Sequence, residues 1–135
     1  MVVVDANLIA ALVLKQEHSD EARRVWERDP DWCAPPLWVS ELRSVLAKCA
    51  RAGLLPKSRA AATMALTRRV LLPERTIEPE DPVVLALAAR CGCSTYDCEY
   101  VAVARMLGVP LVTLDKQVLR AFPGLALKPE EFLRQ

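Results

Sequence analysis

Two short apolar runs, far apart in the chain, place the strongest limit on its fold. Val2-Val3-Val4 is entirely β-branched, and Leu111-Val112-Thr113 has nearly the same character. Neither run alternates with polar residues, which is typical of strands buried on both faces of a parallel sheet. Parallel strands need long connections that usually contain a helix. The two runs therefore predict an α/β fold with a buried, mainly parallel sheet.

The segments between these runs carry helical patterns that proline and glycine terminate. Helices are predicted over 7–14, 18–28, 37–52, 57–70, 79–91 and 95–107, and short helices beside the last strand. Further strands are predicted over 32–34, 74–77 and 125–127. The sheet is therefore expected to contain four to five strands.

Length and composition favour one ordinary domain over residues 1–135. Of these residues 53% are apolar and 26% are charged, which allows a substantial core. The net charge of +1 predicts neither a nucleic-acid binder nor a membrane binder. The N-terminus lacks the basic segment of a signal peptide, and no apolar stretch approaches the ~20 residues of a membrane span. A soluble, cytoplasmic protein is expected.

The cysteine pattern argues against a zinc site and against a disulfide framework. The chain has five cysteines, an odd number, and contains no C-x-x-C pair. Cys91, Cys93 and Cys98 supply three soft ligands, but not at the paired spacings of structural zinc sites. Buried or half-buried thiols in a reducing compartment are the expected outcome.

Two acids lie just beyond the two apolar runs described above. Asp5 comes after Val4, and Asp115 comes two residues after Thr113. Functional groups of open parallel sheets gather beyond the carboxyl ends of the strands, so both carboxylates are expected on one edge. Alternatively, each acid is only the N-cap of the helix that follows it.

Two further acids lie in predicted helices. Glu41 interrupts an otherwise apolar face that includes Trp38 and Leu42, where a charge must be paired or bind a metal. Pairing with an arginine such as Arg43 is the alternative. Asp97 lies in the first turn of its helix, where Ser94 and Asp97 also fit a capping box.

The four acids together predict a particular chemistry. Carboxylates without a histidine or cysteine partner form a hard-oxygen site that suits Mg²⁺ or Mn²⁺. Such a site supports metal-assisted hydrolysis of phosphodiesters. His18 is the only histidine, which disfavours serine and cysteine triads, and four glycines are too few for a phosphate-binding P-loop.

At this point the chain resembles a known family. The matching segments, which span nearly its whole length, are Val3-Val4-Asp5-Ala6-Asn7, Ser40-Glu41-Leu42, Thr95 to Ala104, and Leu111-Val112-Thr113-Leu114-Asp115. Their order and content resemble the PIN-domain proteins, and among these the VapC toxins of prokaryotic toxin–antitoxin pairs. The Tyr-Asp-x-x-Tyr segment followed by Val-Thr-x-Asp is the most specific part.

The resemblance implies a three-layer α/β/α fold and an endoribonuclease that cleaves single-stranded RNA with Mg²⁺ or Mn²⁺. It also implies a homodimer and a cognate antitoxin that inserts a segment near the active site. Asp5, Glu41 and Asp97 match the metal-binding acids, and Asp115 matches a fourth, more variable one. The two supporting positions of the pattern are Asn7, placed to hydrogen-bond Asp5, and Thr113.

Substrate and partner surfaces are less defined by the sequence. RNA binding requires basic side chains around the acidic centre. The candidates, each of which is alternatively part of a solvated helix face, are Arg23, Arg24, Arg28, Arg43, Arg51, Lys57, Arg68 and Arg69. Trp38, one turn before Glu41, is a candidate for lining an apolar antitoxin groove.

Three other functions remain open from the residues alone. One is a housekeeping PIN-domain nuclease that processes RNA. A phosphatase with an aspartyl nucleophile needs a second acid two residues after Asp5, where this chain has Asn7. The third alternative is a phospho-acceptor signalling module or a non-catalytic RNA-binding protein. A signalling module needs an acidic pair, and Asp5 has no acidic neighbour.

Overall fold

A four-stranded parallel sheet forms the centre of the molecule. The computed structural model describes all 135 residues. The strands are β1 (Val2–Val4), β2 (Trp32–Cys33), β3 (Leu111–Val112) and β4 (Ala126–Leu127). They lie in the order β2-β1-β3-β4, and every pair of neighbours is parallel. The three valines of β1 are fully buried, so the prediction from this run is confirmed.

Eight helices surround the sheet. They are α1 (Ala6–Val13), α2 (Ser19–Arg28), α3 (Leu37–Arg51), α4 (Lys57–Val70), α5 (Asp81–Arg90), α6 (Thr95–Leu107), α7 (Lys116–Ala121) and α8 (Pro129–Leu133). The helix α6 packs on β1 and β3 with α5 beside it, and α1 packs against α2, α3 and α4. The three-layer α/β/α arrangement is confirmed. None of these helices has the length and apolar character that crossing a membrane requires.

The predicted strand over 74–77 is wrong. Residues Pro73–Arg75 form a 3₁₀ turn, and only Thr76 pairs with the sheet edge, through a single parallel bridge to Ala34. Proline has a fixed φ and no N–H to donate, so it favours a turn over a strand at this point. Ile77 completes the contact by donating its N–H to the carbonyl oxygen of Ala34 at 2.9 Å.

The three tryptophans pack in or against the core. Trp26 and Trp32 contact edge to face, with ring centroids 5.4 Å apart. Trp38 is 1% exposed, and its indole N–H donates to the hydroxyl of Thr76 at 3.1 Å. The guanidinium of Arg68 lies 5.8 Å from the centre of the Trp38 ring. Trp38 also lines a surface groove beside Pro36 and Pro73, so its place in an antitoxin groove stays a prediction.

Candidate active site

The four predicted acids line one small pocket of about 40 Å³ at the carboxyl edge of β1 and β3. The two predicted supporting residues line it as well. The complete lining is Asp5, Ala6, Asn7, Glu41, Asp97, Tyr100, Leu111, Thr113, Asp115 and Val118. It includes no lysine, arginine or histidine. An acidic pocket without a protein counter-charge is a site that a cation would neutralise.

Asp5 is held in place by two hydrogen bonds. It is the N-cap of α1, where its Oδ1 accepts from the N–H of Leu8 at 2.9 Å. Its Oδ2 accepts from the hydroxyl of Thr113. Burial raises the pKa of the Asp5 carboxyl group to about 6, although both hydrogen bonds lower it; Glu41 and Asp115 raise it further. Asp5 is thus an N-cap but not only an N-cap, because its carboxylate also lines a pocket that has no basic side chain to balance it.

Thr113 connects Asp5 to Asp115. The hydroxyl that donates to Asp5 also accepts from the N–H of Asp115 at 3.0 Å, and Thr113 is 1% exposed. Asp115 is itself the N-cap of α7, and its Oδ1 accepts from the N–H groups of Gln117 at 2.8 Å and Val118 at 3.0 Å. One buried hydroxyl therefore fixes both acids that follow the strands.

Glu41 reaches the pocket from α3. Its Oε1 accepts a 2.6 Å hydrogen bond from the hydroxyl of Tyr100 on α6. Burial raises the pKa of Glu41, the Tyr100 hydrogen bond lowers it and Asp97 raises it. The alternative of an arginine partner is wrong, since Arg43 lines a groove between α3 and α4 and no salt bridge reaches Glu41.

Asp97 enters from the first turn of α6. The N–H of Asp97 donates to the hydroxyl of Ser94, the N-cap of that helix, at 3.1 Å. This is half of the capping box that the sequence allowed. The Asp97 carboxylate does not complete the box and is among the groups lining the pocket. Glu99, two residues further along α6, lines a different surface pocket with Glu78.

The carboxylates share the pocket without converging on a point. No three acidic, histidine or cysteine side chains anywhere in the chain meet at a geometry that would hold a metal ion as they stand. Asp5, Glu41 and Asp115 each direct an oxygen to a protein donor, and neighbouring carboxylates repel one another. The all-oxygen donor set fits a hard divalent cation.

The fold and the pocket agree with a family match across the chain. The model of the PIN domain matches residues 2–124. The chain belongs to the PIN domain family. The match includes all four acids and both supporting residues, so the whole pocket lies within the family's domain.

Relatives of this PIN domain support the assignment. Ribonuclease VapC3 of Pyrobaculum aerophilum is 33% identical over 125 residues, covering 91% of this chain and 95% of that protein. The crystal structure of PAE2754 from the same organism matches with a TM-score of 0.76 and 27% identity, covering 98% and 93% of the two chains. FitAcB from Neisseria gonorrhoeae shares the fold alone, with a TM-score of 0.66 and 18% identity over 96% and 99%.

The structure adds one residue to the predicted site of the PIN domain and corrects the role of another. Tyr100 was not predicted as a site residue, although it lies three residues after Asp97 and therefore on the same face of α6. Asn7 lines the pocket with an exposed side chain, but it makes no hydrogen bond to Asp5. Thr113 donates that hydrogen bond instead.

A larger groove lies outside the pocket, between α3 and α4 of the PIN domain. It encloses about 390 Å³ and has a floor of leucine, methionine and alanine side chains. Its rim is basic and contains three of the predicted candidates, Arg43, Arg51 and Lys57. Other candidates are engaged elsewhere: Arg23 pairs with Asp20, and Arg68 lies over Trp38.

Proposed function

We propose that this PIN domain is an endoribonuclease that cleaves single-stranded RNA and requires Mg²⁺ or Mn²⁺. The observation that carries the proposal is the pocket of four carboxylates with no basic side chain. The 33% identity to Ribonuclease VapC3, over nearly the full length of both chains, supports a ribonuclease. Residues 1–135 act as a single nuclease domain in this proposal.

Asp5, Glu41 and Asp97 would hold the cation, and Asp115 would complete or adjust its surroundings. A bound cation supplies activation of a water molecule and neutralises the charge that develops on the phosphodiester. Asp115 has the weaker claim to direct contact, because the resemblance matches it to the more variable of the four acids. Asn7, with its exposed side chain at the edge of the pocket, is placed to meet the substrate.

The protein's own contribution is to hold these carboxylates in position. Thr113 fixes the Asp5 carboxylate, and Tyr100 fixes that of Glu41. Each hydroxyl donates to the charged form of its acid and so keeps that acid available as a ligand. Both donors are themselves nearly or fully buried, so the two acids cannot easily turn towards solvent.

RNA cleavage with and without metal tests this function. The purified protein is incubated with single-stranded RNA in Mg²⁺ or Mn²⁺, in EDTA, and as the Asp5→Asn variant. Asp20→Asn is the control, because Asp20 is an exposed acid on α2 that pairs only with Arg23. Cleavage is expected in the wild type and the control with metal. Cleavage that persists in EDTA and in Asp5→Asn would overturn the proposal.

The biological role that we propose is that of the toxin of a VapBC-type pair. The support is the resemblance of the sequence to VapC toxins and its identity to Ribonuclease VapC3. Expression in a bacterial host is expected to arrest growth for the wild type but not for Asp5→Asn. Growth arrest that a small protein encoded beside this one relieves supports a toxin. RNA cleavage without growth arrest favours the housekeeping alternative, and RNA binding without cleavage favours a non-catalytic protein.

The groove between α3 and α4 is the surface that we propose for the antitoxin. Its apolar floor and the basic rim of Arg43, Arg51 and Lys57 fit a segment with apolar and acidic side chains. The double variant Arg51→Glu with Lys57→Glu is expected to lose copurification with the neighbouring small protein. Arg90→Glu on α5 is the control. If both variants copurify equally well with the small protein, the groove between α3 and α4 is not the antitoxin surface.

A homodimer is the proposed assembly of the protein alone. Light scattering coupled to gel filtration is expected to give twice the monomer mass of 15.0 kDa. A single peak at the monomer mass over a range of concentrations would contradict it.

A further inference from the structure

Three cysteines lie together beside the proposed active site. Cys91, Cys93 and Cys98 lie at the end of α5, in the short connection, and in the first turns of α6. All five cysteines of the chain are free, and they are buried or half-buried as the sequence predicted. The sulfur atoms of Cys91 and Cys98 are 3.6 Å apart, which is direct contact. Neither thiol has a role in the proposed hydrolysis.

The two thiols differ in accessibility and in freedom to move. Cys98 is fully buried and fixed within α6, whereas Cys91 is half-buried. Cys91 is the C-cap of α5, and its backbone is extended there, with φ −113° and ψ 164°. A disulfide bond is about 2.0 Å long, so the sulfur atoms must approach by roughly 1.5 Å. Movement of Cys91, outside the helix, can supply that approach.

We propose that Cys91 and Cys98 form a reversible disulfide when the protein meets hydrogen peroxide. The Cys91 sulfur, as the thiolate, attacks one peroxide oxygen; the O–O bond breaks, one water leaves and Cys91 becomes a sulfenic acid. The Cys98 sulfur then attacks the Cys91 sulfur, the S–O bond breaks and a second water leaves. Two thiols are oxidised to one disulfide, and one peroxide is reduced to two waters.

The position of the bond connects it to the nuclease site, a consequence that rests on the proposed function. The connection that follows Cys91 leads into Ser94, whose hydroxyl accepts from the N–H of Asp97, so moving Cys91 towards Cys98 shifts the turn that presents Asp97. The connection between the cysteines also touches α7, because Gln117 donates from its side-chain amide to the carbonyl oxygen of Gly92 at 2.5 Å. Oxidation is therefore expected to lower RNA cleavage several-fold, and reduction by dithiothreitol to restore it.

Thiol counting and mass spectrometry test the bond itself. The full-length protein is treated with hydrogen peroxide, unfolded in iodoacetamide and digested. The wild type is expected to lose two of its five alkylated cysteines and to yield a peptide pair linked through Cys91 and Cys98. Cys91→Ser is expected to form no disulfide, whereas Cys49→Ser, which removes a half-buried thiol on α3, forms it as the wild type does.

Several outcomes would overturn the disulfide. They are five alkylated cysteines after peroxide, a link to Cys93 in place of Cys98, or an unchanged loss of two thiols in Cys91→Ser. Cys98→Ala gives a second test from the buried partner, and circular dichroism establishes that the variant is folded. The thiol count does not depend on catalysis, so a protein that cleaves no RNA still decides this proposal. If the protein cleaves RNA but its cysteines stay reduced after peroxide treatment, the disulfide proposal is wrong and the proposed function stands.

Discussion

The hydroxyl of Tyr100 on α6 donates a 2.6 Å hydrogen bond to Glu41 on α3, and so joins two helices through the proposed active site. Burial raises the pKa of Glu41, and this hydrogen bond opposes the rise. Burial raises the pKa of Tyr100, and the contact with Glu41 raises it further, because ionising a phenol away from water and beside a carboxylate is unfavourable. Tyr100 therefore remains a hydrogen-bond donor to Glu41, the ligand proposed above, throughout the neutral pH range.

Tyr100→Phe is expected to lower both stability and RNA cleavage. It removes the only side-chain donor to Glu41, which is half-buried, so the loss is expected to cost about 1 kcal/mol, the low end for an unsatisfied acceptor. The pKa of Glu41 is expected to rise, so metal binding weakens most towards acidic pH. Urea unfolding and metal titration followed by calorimetry measure the two effects.

Tyr96→Phe is the matched control for this variant. Tyr96 lies one turn earlier on α6 and is 62% exposed, with no hydrogen bond from its hydroxyl. It is expected to behave as the wild type in both measurements. Equal losses in Tyr96→Phe and Tyr100→Phe would contradict the role given to the Glu41 contact.

Thr113→Val is expected to uncouple Asp5 from Asp115. Valine keeps the shape of threonine but removes the hydroxyl that donates to Asp5 and accepts from the Asp115 N–H. Stability is expected to fall by about 1–2 kcal/mol, and cleavage by more than that loss of folded protein explains. Thermal unfolding and initial cleavage rates on fully folded protein separate the two.

Thr67→Val distinguishes a site effect from a general effect of losing a buried hydroxyl. Thr67 is fully buried in α4, where its hydroxyl donates to the carbonyl oxygen of Thr63 at 2.7 Å. Its replacement is expected to change stability while leaving the cleavage rate of the folded protein unchanged. A similar loss of rate in both variants would remove the case for Thr113 as a positioning residue.

Burial patterns explain how much of the fold could be predicted. Val2–Val4 is apolar at every position because both faces of β1 are covered, and that signal is local. The segment at 74–77 has β-forming residues too, but Pro73 starts a 3₁₀ turn and the sheet edge accepts only a single bridge at Thr76. Whether such a segment pairs depends on the strand beside it, which the local sequence does not specify.

The acids of the site were visible for the same reason, whereas the hydrogen bonds that hold them were not: Tyr100 was not predicted, and Thr113 was expected only through the family resemblance. Asp5 ends a buried strand and Glu41 interrupts an apolar helical face, and each is an anomaly within its own element. The bond from Tyr100 to Glu41 spans 59 positions, and that from Thr113 to Asp5 spans 108. Tyrosine and threonine are ordinary in their own elements, so only the folded chain shows what their hydroxyls contact.

The metal-free protein is expected to become relatively more stable on acidification because of Asp5. The pKa of this carboxyl group rises from 3.8 to about 6 on folding, so between these values the folded state binds a proton that the unfolded state lacks. Stability from this group therefore increases as the pH falls through about 6 and is lost as it rises. The contribution is about 3 kcal/mol at most.

Asp5→Asn isolates this effect from the other titrating groups. Urea unfolding in EDTA at about pH 7 and about pH 5 is compared for wild type and variant. The variant is expected to be the more stable at the higher pH, with the difference shrinking at the lower pH. A difference that is the same at both pH values would show that Asp5 titrates normally.

Asp115→Asn is expected to weaken metal binding less than Asp5→Asn does. Asparagine keeps the side-chain oxygen that caps α7 and accepts from Gln117 and Val118, so little stability is lost. At Asp5 the same change removes a buried charge that no protein cation balances.

Saturating Mg²⁺ or Mn²⁺ is expected to stabilise the wild type by about 3 kcal/mol at a hundredfold excess over Kd. Most of that gain should survive in Asp115→Asn and be lost in Asp5→Asn. Thermal unfolding across a metal titration measures both, and the reverse order would assign Asp115 as the principal ligand.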